Sequence, residues 1–396
     1  MSRTEGRRWR DADEQARPAR LARLRQRLAR EGVDAYFGLR RENVRYLAGF
    51  VLEEGEEKVA GQSGHFFVTG DEVVLLADPR YREQALDECA GARVEHVYQD
   101  FVERWPAYLD SLRGLDGGGV RRLAVEAQLG HGLWLRLAAA LPEVELVPAD
   151  GWVEELRAVK EPSEVERIAA ACAVADAALE RILPRIRPGQ REAEVALDLE
   201  WEIRTGGAEA LAFGVTVLSG PRAALPHGSP GERAISAGEV LLFDFGAQVG
   251  GYRSDMTRTL FVGQPRTEDL AIYEVVAAAQ QAALDALEAA AARREAPDGR
   301  TVDAIARSVI ADAGHGEAFT HSLGHGIGLA THEAPALGRR APETPLPTPS
   351  VFSIEPGVYL PGQTGVRIED LVNFDPAAGR CERLTRFPRK VRVLDV

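Results

Sequence analysis

The 396-residue chain has only three cysteines, Cys89, Cys172 and Cys381, and they form neither a close pair nor a metal-ligand spacing. That scarcity excludes a disulfide scaffold and a thiolate metal site, and it points to a reducing compartment, read here as the cytoplasm. Positive charge is in deficit as well. Forty-eight basic against 61 acidic side chains leave a net charge of -13, which excludes a general grip on nucleic acid or on an anionic membrane. No stretch reads as long enough, free of charge, to span a bilayer. The N-terminus, "MSRTEGRRWRDADEQARPARLARLRQRLAR", is rich in arginine but contains acids and lacks the apolar run of a secretory signal. Leu21, Leu24 and Leu28 recur in it at helical spacing, so the arginines between them read as the solvated face of a helix. No short tandem repeat is visible.

What is present bounds the architecture. A chain of this length with 45% hydrophobic residues exceeds one small core, so two domains are expected. The first part alternates strand-like and helical pieces: "VDAYFGL" reads as a strand, and Gly70-Asp71 in "HFFVTGDEVVLLADPRY" reads as a hairpin turn. This is an α/β pattern. Around residues 152–160 the texture changes, Pro162 and Ser163 look like a helix start, and a long alanine-rich amphipathic helix follows. The expected division is 1–155 and 156–396.

Chemistry concentrates in the second part. In "LLFDFGAQVGGYRSDMTRTLFV" two β-rich runs flank "QVGG", which predicts a hairpin. A turn centred between Val249 and Gly250 makes Asp244 and Asp255 direct partners, roughly 5 Å apart. The pair is either two exposed acids or a buried couple that needs a shared proton or cations. "VFSIEPGVYLPGQTGVRIEDLV" repeats the arrangement: centring its loop on Gly362 opposes Glu355 to Glu369, with Arg367 on the face of Glu369. Both glutamates interrupt apolar runs, a costly position unless compensated. Four such acids without matching lysines ask for about two divalent cations, and an oxygen-rich donor set favours manganese-like ions.

Histidine is scarce, yet three of the eight fall within "HSLGHGIGLATHE", residues 321–333. Its glycines argue against a helix, and as an extended segment it places His321 and His325 on one face. His325, flanked by glycines, is the candidate metal ligand; His321 and His332 are candidates for hydrogen bonding to a substrate. His315 reads as structural.

Together, "PHGSPGERAISAGEVLLFDFGAQVGGYRSDMTRT", "HSLGHGIGLATHEAP", "FSIEPGVY" and "GVRIED" resemble, in order, the motifs of the pita-bread-fold metallopeptidases, specifically the Xaa-Pro peptidases (prolidase and aminopeptidase P). "VRYLAGF" and "LLADPRYREQA" are similar to the N-terminal segments of that family. The resemblance implies an α/β N-terminal domain followed by an α+β pita-bread (creatinase/aminopeptidase-like) catalytic domain. It implies a dinuclear site of Asp244, Asp255, His325, Glu355 and Glu369, with manganese preferred and cobalt, zinc or iron as alternatives. Asp255 and Glu369 would bridge the metals, Asp244 would complete one, and His325 and Glu355 the other. A bridging water of lowered pKa would attack the scissile carbonyl, with Glu355 as general base. His227, His321 and His332 would position the substrate and stabilise charge on its carbonyl oxygen, and Arg367 would orient Glu369 or the substrate. The implied substrates are short proline-containing peptides, and the implied assembly is a homodimer. Methionine aminopeptidases share the five ligands but not the extra domain or the "GVRIED" segment. Creatinase-like enzymes and inactive binding homologues lose ligands that are intact here. Within the Xaa-Pro group the compact chain favours a dipeptidase over an aminopeptidase.

Overall fold

The computed structural model describes residues 3–53, 55–56, 61–98 and 101–395. Two compact units divide the chain, Arg7–Arg157 and Ala158–Val396. In the first, strands β1 (Ala35–Gly38), β2 (Phe66–Val68), β3 (Val73–Ala77), β4 (Arg93–His96), β5 (Arg122–Glu126) and β6 (Glu145–Ala149) form one mixed sheet in the order β4-β3-β2-β1-β5-β6. Helices α1 (Arg3–Glu31), α2 (Arg41–Leu47), α3 (Arg82–Glu88), α4 (Phe101–Ser111), α5 (His131–Ala140) and α6 (Trp152–Ala158) accompany it. The hairpin expected at Gly70-Asp71 is there, with Val68 paired to Val73. Aromatic residues supply the core: the Phe37 and Phe67 rings lie 4.7 and 5.4 Å from that of Trp105. Leu24 and Leu28 of α1 are fully buried, but the arginines among them are not all solvated. Arg20 is 1% exposed, donates to the Tyr46 carbonyl and lies 4.3 Å over the Tyr46 ring, because α1 packs this face against α2.

Glu126, at the end of β5, is buried and accepts from the Tyr36 hydroxyl, the Asn43 amide and the backbone N–H groups of Leu39 and Arg40. A carboxylate so supplied with donors fastens the entry to α2. His65 has no such company. Its ring sits edge-on to Phe37 and Phe101, its Nδ1 has no hydrogen-bond partner, and burial pushes its pKa down to about 4.

In the second unit, helix α7 (Pro162–Ile182) starts where proline and serine predict it, closed by a reciprocal cap between Glu161 and Glu164. Helices α8 (Glu192–Thr205), α9 (Thr267–Ala292) and α10 (Gly299–Asp312) follow. The strands are β7 (Ala210–Leu211), β8 (Thr216–Ser219), β9 (Val240–Phe245), β10 (Ala247–Val249), β11 (Tyr252–Arg253), β12 (Met256–Val262), β13 (Gly324–Gly326), β14 (Glu333–Leu337), β15 (Ser350–Ile354), β16 (Gly357–Leu360), β17 (Thr364–Arg367), β18 (Asp370–Asp375), β19 (Arg380–Arg383) and β20 (Val393–Leu394). Two larger sheets run β20-β12-β9-β8 and β14-β13-β15-β18-β19, and two small ones run β11-β10-β7 and β16-β17. An α/β unit followed by an α+β unit is the expected fold class.

Among the described residues α9 alone is long and apolar enough, by length and composition, to cross a bilayer, which a reading by charge-free runs passes over. Its packing gives it another job. Ile272, Val276, Ala279, Ala283, Leu287 and Ala290 form a buried stripe at helical spacing in the core of this unit. On the same helix the buried Gln280 amide donates to the carbonyls of Ile354 and Ile368, each one residue before a predicted site glutamate.

Because His65 is neutral in the folded chain and readily protonated in the unfolded one, stability is complete above about pH 6.5 and falls as pH drops towards the folded pKa. The shift is equivalent to about 2 kcal/mol lost by pH 5. In denaturant unfolding, His65→Leu is expected to flatten the decline between pH 7 and pH 5; an unchanged slope excludes His65 as its source.

Candidate metal centre

The first hairpin departs from the predicted register. Its two-residue turn is Gly250-Gly251, both with positive φ, at 58° and 82°, so Val249 pairs with Tyr252 and the centre lies one residue later than expected. Asp244 on β9 therefore faces Thr257 on β12, and not Asp255. Asp255 occupies the break between β11 and β12 and enters the same cavity diagonally. In the second hairpin the predicted register holds. Ile354 pairs with Asp370 on one side and Gly357 with Arg367 on the other, which leaves Glu355 and Glu369 facing each other in the gap between two ladders.

The histidine strip is extended, as its glycines predict. His325 lies in the middle of β13, which runs between β14 and β15. A Cβ at Gly324 would lie 1.9 Å from the Ser353 carbonyl oxygen, so only glycine lets the two strands pass so closely. Its neighbour's ring is thereby fixed. His325 Nδ1 donates to the Gly326 carbonyl at 3.0 Å, which leaves the Nε2 lone pair aimed at the acids, 3.3 Å from Glu355 Oε1 and 3.7 Å from Asp255 Oδ2. Ligand atoms of Asp255, His325 and Glu369 all lie within 4.8 Å of one another.

Asp244, Asp255, His325, Glu355, Glu369, Arg367, His227, His321 and His332 all line one cavity of about 510 Å³. The outer histidines differ. The His332 ring lies against that of His325, tilted by 45° with ring centres 4.2 Å apart. His321 uses both ring nitrogens within the protein: Nδ1 donates to the Ser322 carbonyl and Nε2 accepts from the Tyr359 hydroxyl, each at 2.8 Å. Arg367 does not touch Glu369. It donates to Asp244 Oδ2 at 2.6 Å, to Tyr359 and to Thr257, and the Thr257 hydroxyl in turn donates to Glu369 Oε2. Tyr359, Thr257 and Ser353, which donates to Glu355, are the members that residue-type reasoning missed. Strand parity could have found them, since each lies two or four positions from a predicted site residue.

Burial first, and then the charges of Glu369, Asp244 and Glu355, push the Asp255 carboxyl well above the usual range. Glu369 is raised in the same way, and burial also raises Glu355. Burial holds His325, His332 and His321 below the ordinary histidine value, so all three are neutral, and of these His325 keeps its Nε2 lone pair free for a cation. Asp244 Oδ1, Asp255 Oδ1 and Glu369 Oε1 are buried with no hydrogen-bond partner. Three orphaned carboxylate oxygens beside an imidazole lone pair fit divalent cations and fit little else.

Residues 166–375 match the model of metallopeptidase family M24, and residues 20–159 match the creatinase/prolidase N-terminal domain. The chain belongs to metallopeptidase family M24. This peptidase is 33% identical to the Xaa-Pro dipeptidase of Pyrococcus horikoshii, over 91% of its own length and 95% of that protein. The solved Xaa-Pro dipeptidase from Bacillus anthracis superposes with a TM-score of 0.84 at 34% identity, covering 95% and 99% of the two chains. An X-Pro aminopeptidase from Thermotoga maritima superposes at 0.81 and 33% identity, covering 94% and 99%. The second unit has the pita-bread fold of these proteins.

Stripped of divalent ions, the peptidase is expected to gain thermal stability on adding Mn2+ and to release protons as the raised carboxyls ionise. Glu369→Gln should raise the metal-free Tm by ~2 °C, by removing a buried carboxyl whose ionisation its neighbours oppose, and abolish the Mn2+ response. Calorimetry in two buffers of different ionisation enthalpy reads both effects; a full Mn2+ response in the variant excludes Glu369 as a ligand.

Proposed function

We propose that the peptidase hydrolyses the Xaa-Pro bond at the N-terminus of short peptides, as an Xaa-Pro dipeptidase, with two divalent cations held by Asp244, Asp255, His325, Glu355 and Glu369. The observation that carries this reading is the set of orphaned carboxylate oxygens sharing one cavity with the His325 lone pair. An all-oxygen set with one imidazole favours manganese over softer ions. Phe213 and Pro226 in the wall of the cavity offer apolar surface to a pyrrolidine ring. Cys89, Cys172 and Cys381 are all free thiols, in keeping with the cytoplasm. The homodimer implied by the resemblance belongs to the same reading, and sedimentation tests it.

When bound, the cations would polarise the scissile carbonyl and activate a water molecule. In keeping with the resemblance, Asp255 and Glu369 would be shared by the two ions, Asp244 would complete one, and His325 with Glu355 the other. We assign Glu355 as the general base: the Ser353 hydroxyl fixes one of its oxygens, leaving the carboxylate to take a proton and pass it to the leaving nitrogen. The proline nitrogen of a tertiary amide carries no hydrogen, so this delivered proton is what allows it to leave. With His321 engaged on both nitrogens, we assign placement of the substrate carbonyl to His332 and His227. Arg367 and Thr257 hold Asp244 and Glu369 against mutual repulsion.

A second reading, an Xaa-Pro aminopeptidase acting on longer peptides, is favoured by one observation. Among the described residues lining the cavity Arg367 is the one cationic side chain, and it is paired with Asp244, so none of these residues is placed to receive a terminal proline carboxylate. Assay of the Mn2+-loaded protein on Ala-Pro, Ala-Pro-Ala and Met-Ala-Ser decides. Cleavage of Ala-Pro above Ala-Pro-Ala is expected for the dipeptidase, comparable rates establish the aminopeptidase, and cleavage of Met-Ala-Ser alone overturns both. Glu355→Ala and His325→Ala are each expected to lower kcat by about a thousandfold; near-normal turnover in either refutes the site.

A further inference from the structure

The loop that joins β13 to β14 carries His332, and the residues on either side of it are each held by a buried cation from another part of the unit. Glu333 accepts from Lys160 Nζ at 2.8 Å, with side chains 3% and 1% exposed. Thr331 Oγ1 accepts from Arg253 Nη1 at 2.9 Å, and Arg253 is itself 6% exposed. Both cations are also anchored through their main chain: the Lys160 N–H donates to Pro349 and the Arg253 N–H to Gly328 in the loop itself. Gly328 leaves room for the pair, since a Cβ there would stand 2.3 Å from Glu333 Oε1.

We propose that Lys160 and Arg253 are positioning residues for His332, acting through Glu333 and Thr331; the proposal rests on the role assigned to His332 above. A buried ion pair adds little net stability, because desolvation offsets its attraction, but it tolerates only a narrow geometry. With that ion pair on one side and the Arg253–Thr331 hydrogen bond on the other, the backbone of His332 has little freedom. Position 160 is also one of only three lysines in a chain with 48 basic residues, and its Cε lies 3.3 Å from where a Cβ at Gly328 would stand, so the ammonium stem packs close beside this glycine. The His332 ring, 4.2 Å from that of His325, thus keeps its distance from the metal-facing nitrogen. Displacement of a substrate-facing group by about 1 Å costs on the order of a hundredfold in rate.

The test is a double-mutant cycle on the Mn2+-loaded full chain, with Ala-Pro as substrate and a thermal melt to verify folding. Lys160→Met is expected to lower kcat by about 30-fold with KM changed less than about threefold. In a His332→Ala background the same substitution should change kcat less than about twofold, because the residue it positions is gone. Equal fold-losses in the two backgrounds overturn the proposal, as does wild-type kcat in Lys160→Met. Thr331→Val, which removes the acceptor of Arg253 while keeping the side-chain shape, runs the same cycle where Lys160→Met does not fold. If the wild type cleaves neither Ala-Pro nor Ala-Pro-Ala, the functional reading fails and the positioning is judged by NMR of ring-labelled histidine. There the His332 signal should move in Thr331→Val and in Glu333→Gln; an unmoved signal in both overturns it.

Discussion

Four carboxylates around one cavity, with a single arginine among them, set the terms for the rest of the catalytic unit. Each is drawn out of water by the fold, and none can pair with another without a proton or a cation between them. The raised pKa values of Asp255, Glu355 and Glu369 and the three oxygens without donors are two faces of this one conflict. A chain keeps such a cluster only where a ligand resolves it, and the energy that folding loses here is returned when positive charge arrives.

The scaffold behind the cavity is built to withstand that loss. Gln280 reaches from the core helix α9 to the carbonyls that precede Glu355 and Glu369, so the two strand ends cannot separate. Arg258, fully buried, donates to the carbonyls of Glu369 and Thr257 and to the fully buried Asp370, which Thr385 also holds. These groups point away from the cavity and carry no chemistry of their own. They fix the backbone from which the acids project, and they keep the repelling side chains from relaxing apart.

Much of this was legible in the sequence because strand parity survives errors of register. The second hairpin was read correctly from the position of Gly362 alone. The first was misplaced by one residue at the turn, since the sequence does not say whether one glycine or both occupy its centre, yet Asp244 and Asp255 still reach the same cavity: a shift of partners by two preserves the face. Residues whose function lies in a bond to another site residue were not legible. Tyr359 and Thr257 have no rare chemistry to mark them, and Arg367, expected from the resemblance to orient Glu369 or the substrate, bonds directly to Asp244. Nor does composition show that His321 would be occupied on both nitrogens. Likewise the arginines of α1 were read as solvated from their charge, whereas burial of Arg20 depends on an aromatic ring contributed by α2.

The charge balance of the filled site bears on how it works. Two divalent cations would neutralise the four carboxylates, and Arg367, buried and locked to Asp244, would then leave the cavity one positive charge in excess. A peptide carbonyl approaching this site meets neutral histidines and a fixed positive surplus, which favours the negative charge that develops on its oxygen over the uncharged ground state. The surplus cannot be carried off by solvent or by rotation of the arginine, because Thr257, Tyr359 and Asp244 hold the guanidinium from three directions. Proton transfer to Glu355 would only move a negative charge from the carboxylate to the attacking water, so the positive surplus would be undiminished as the oxyanion forms. The proposed base would therefore prepare the water without drawing on the positive surplus that stabilises its product.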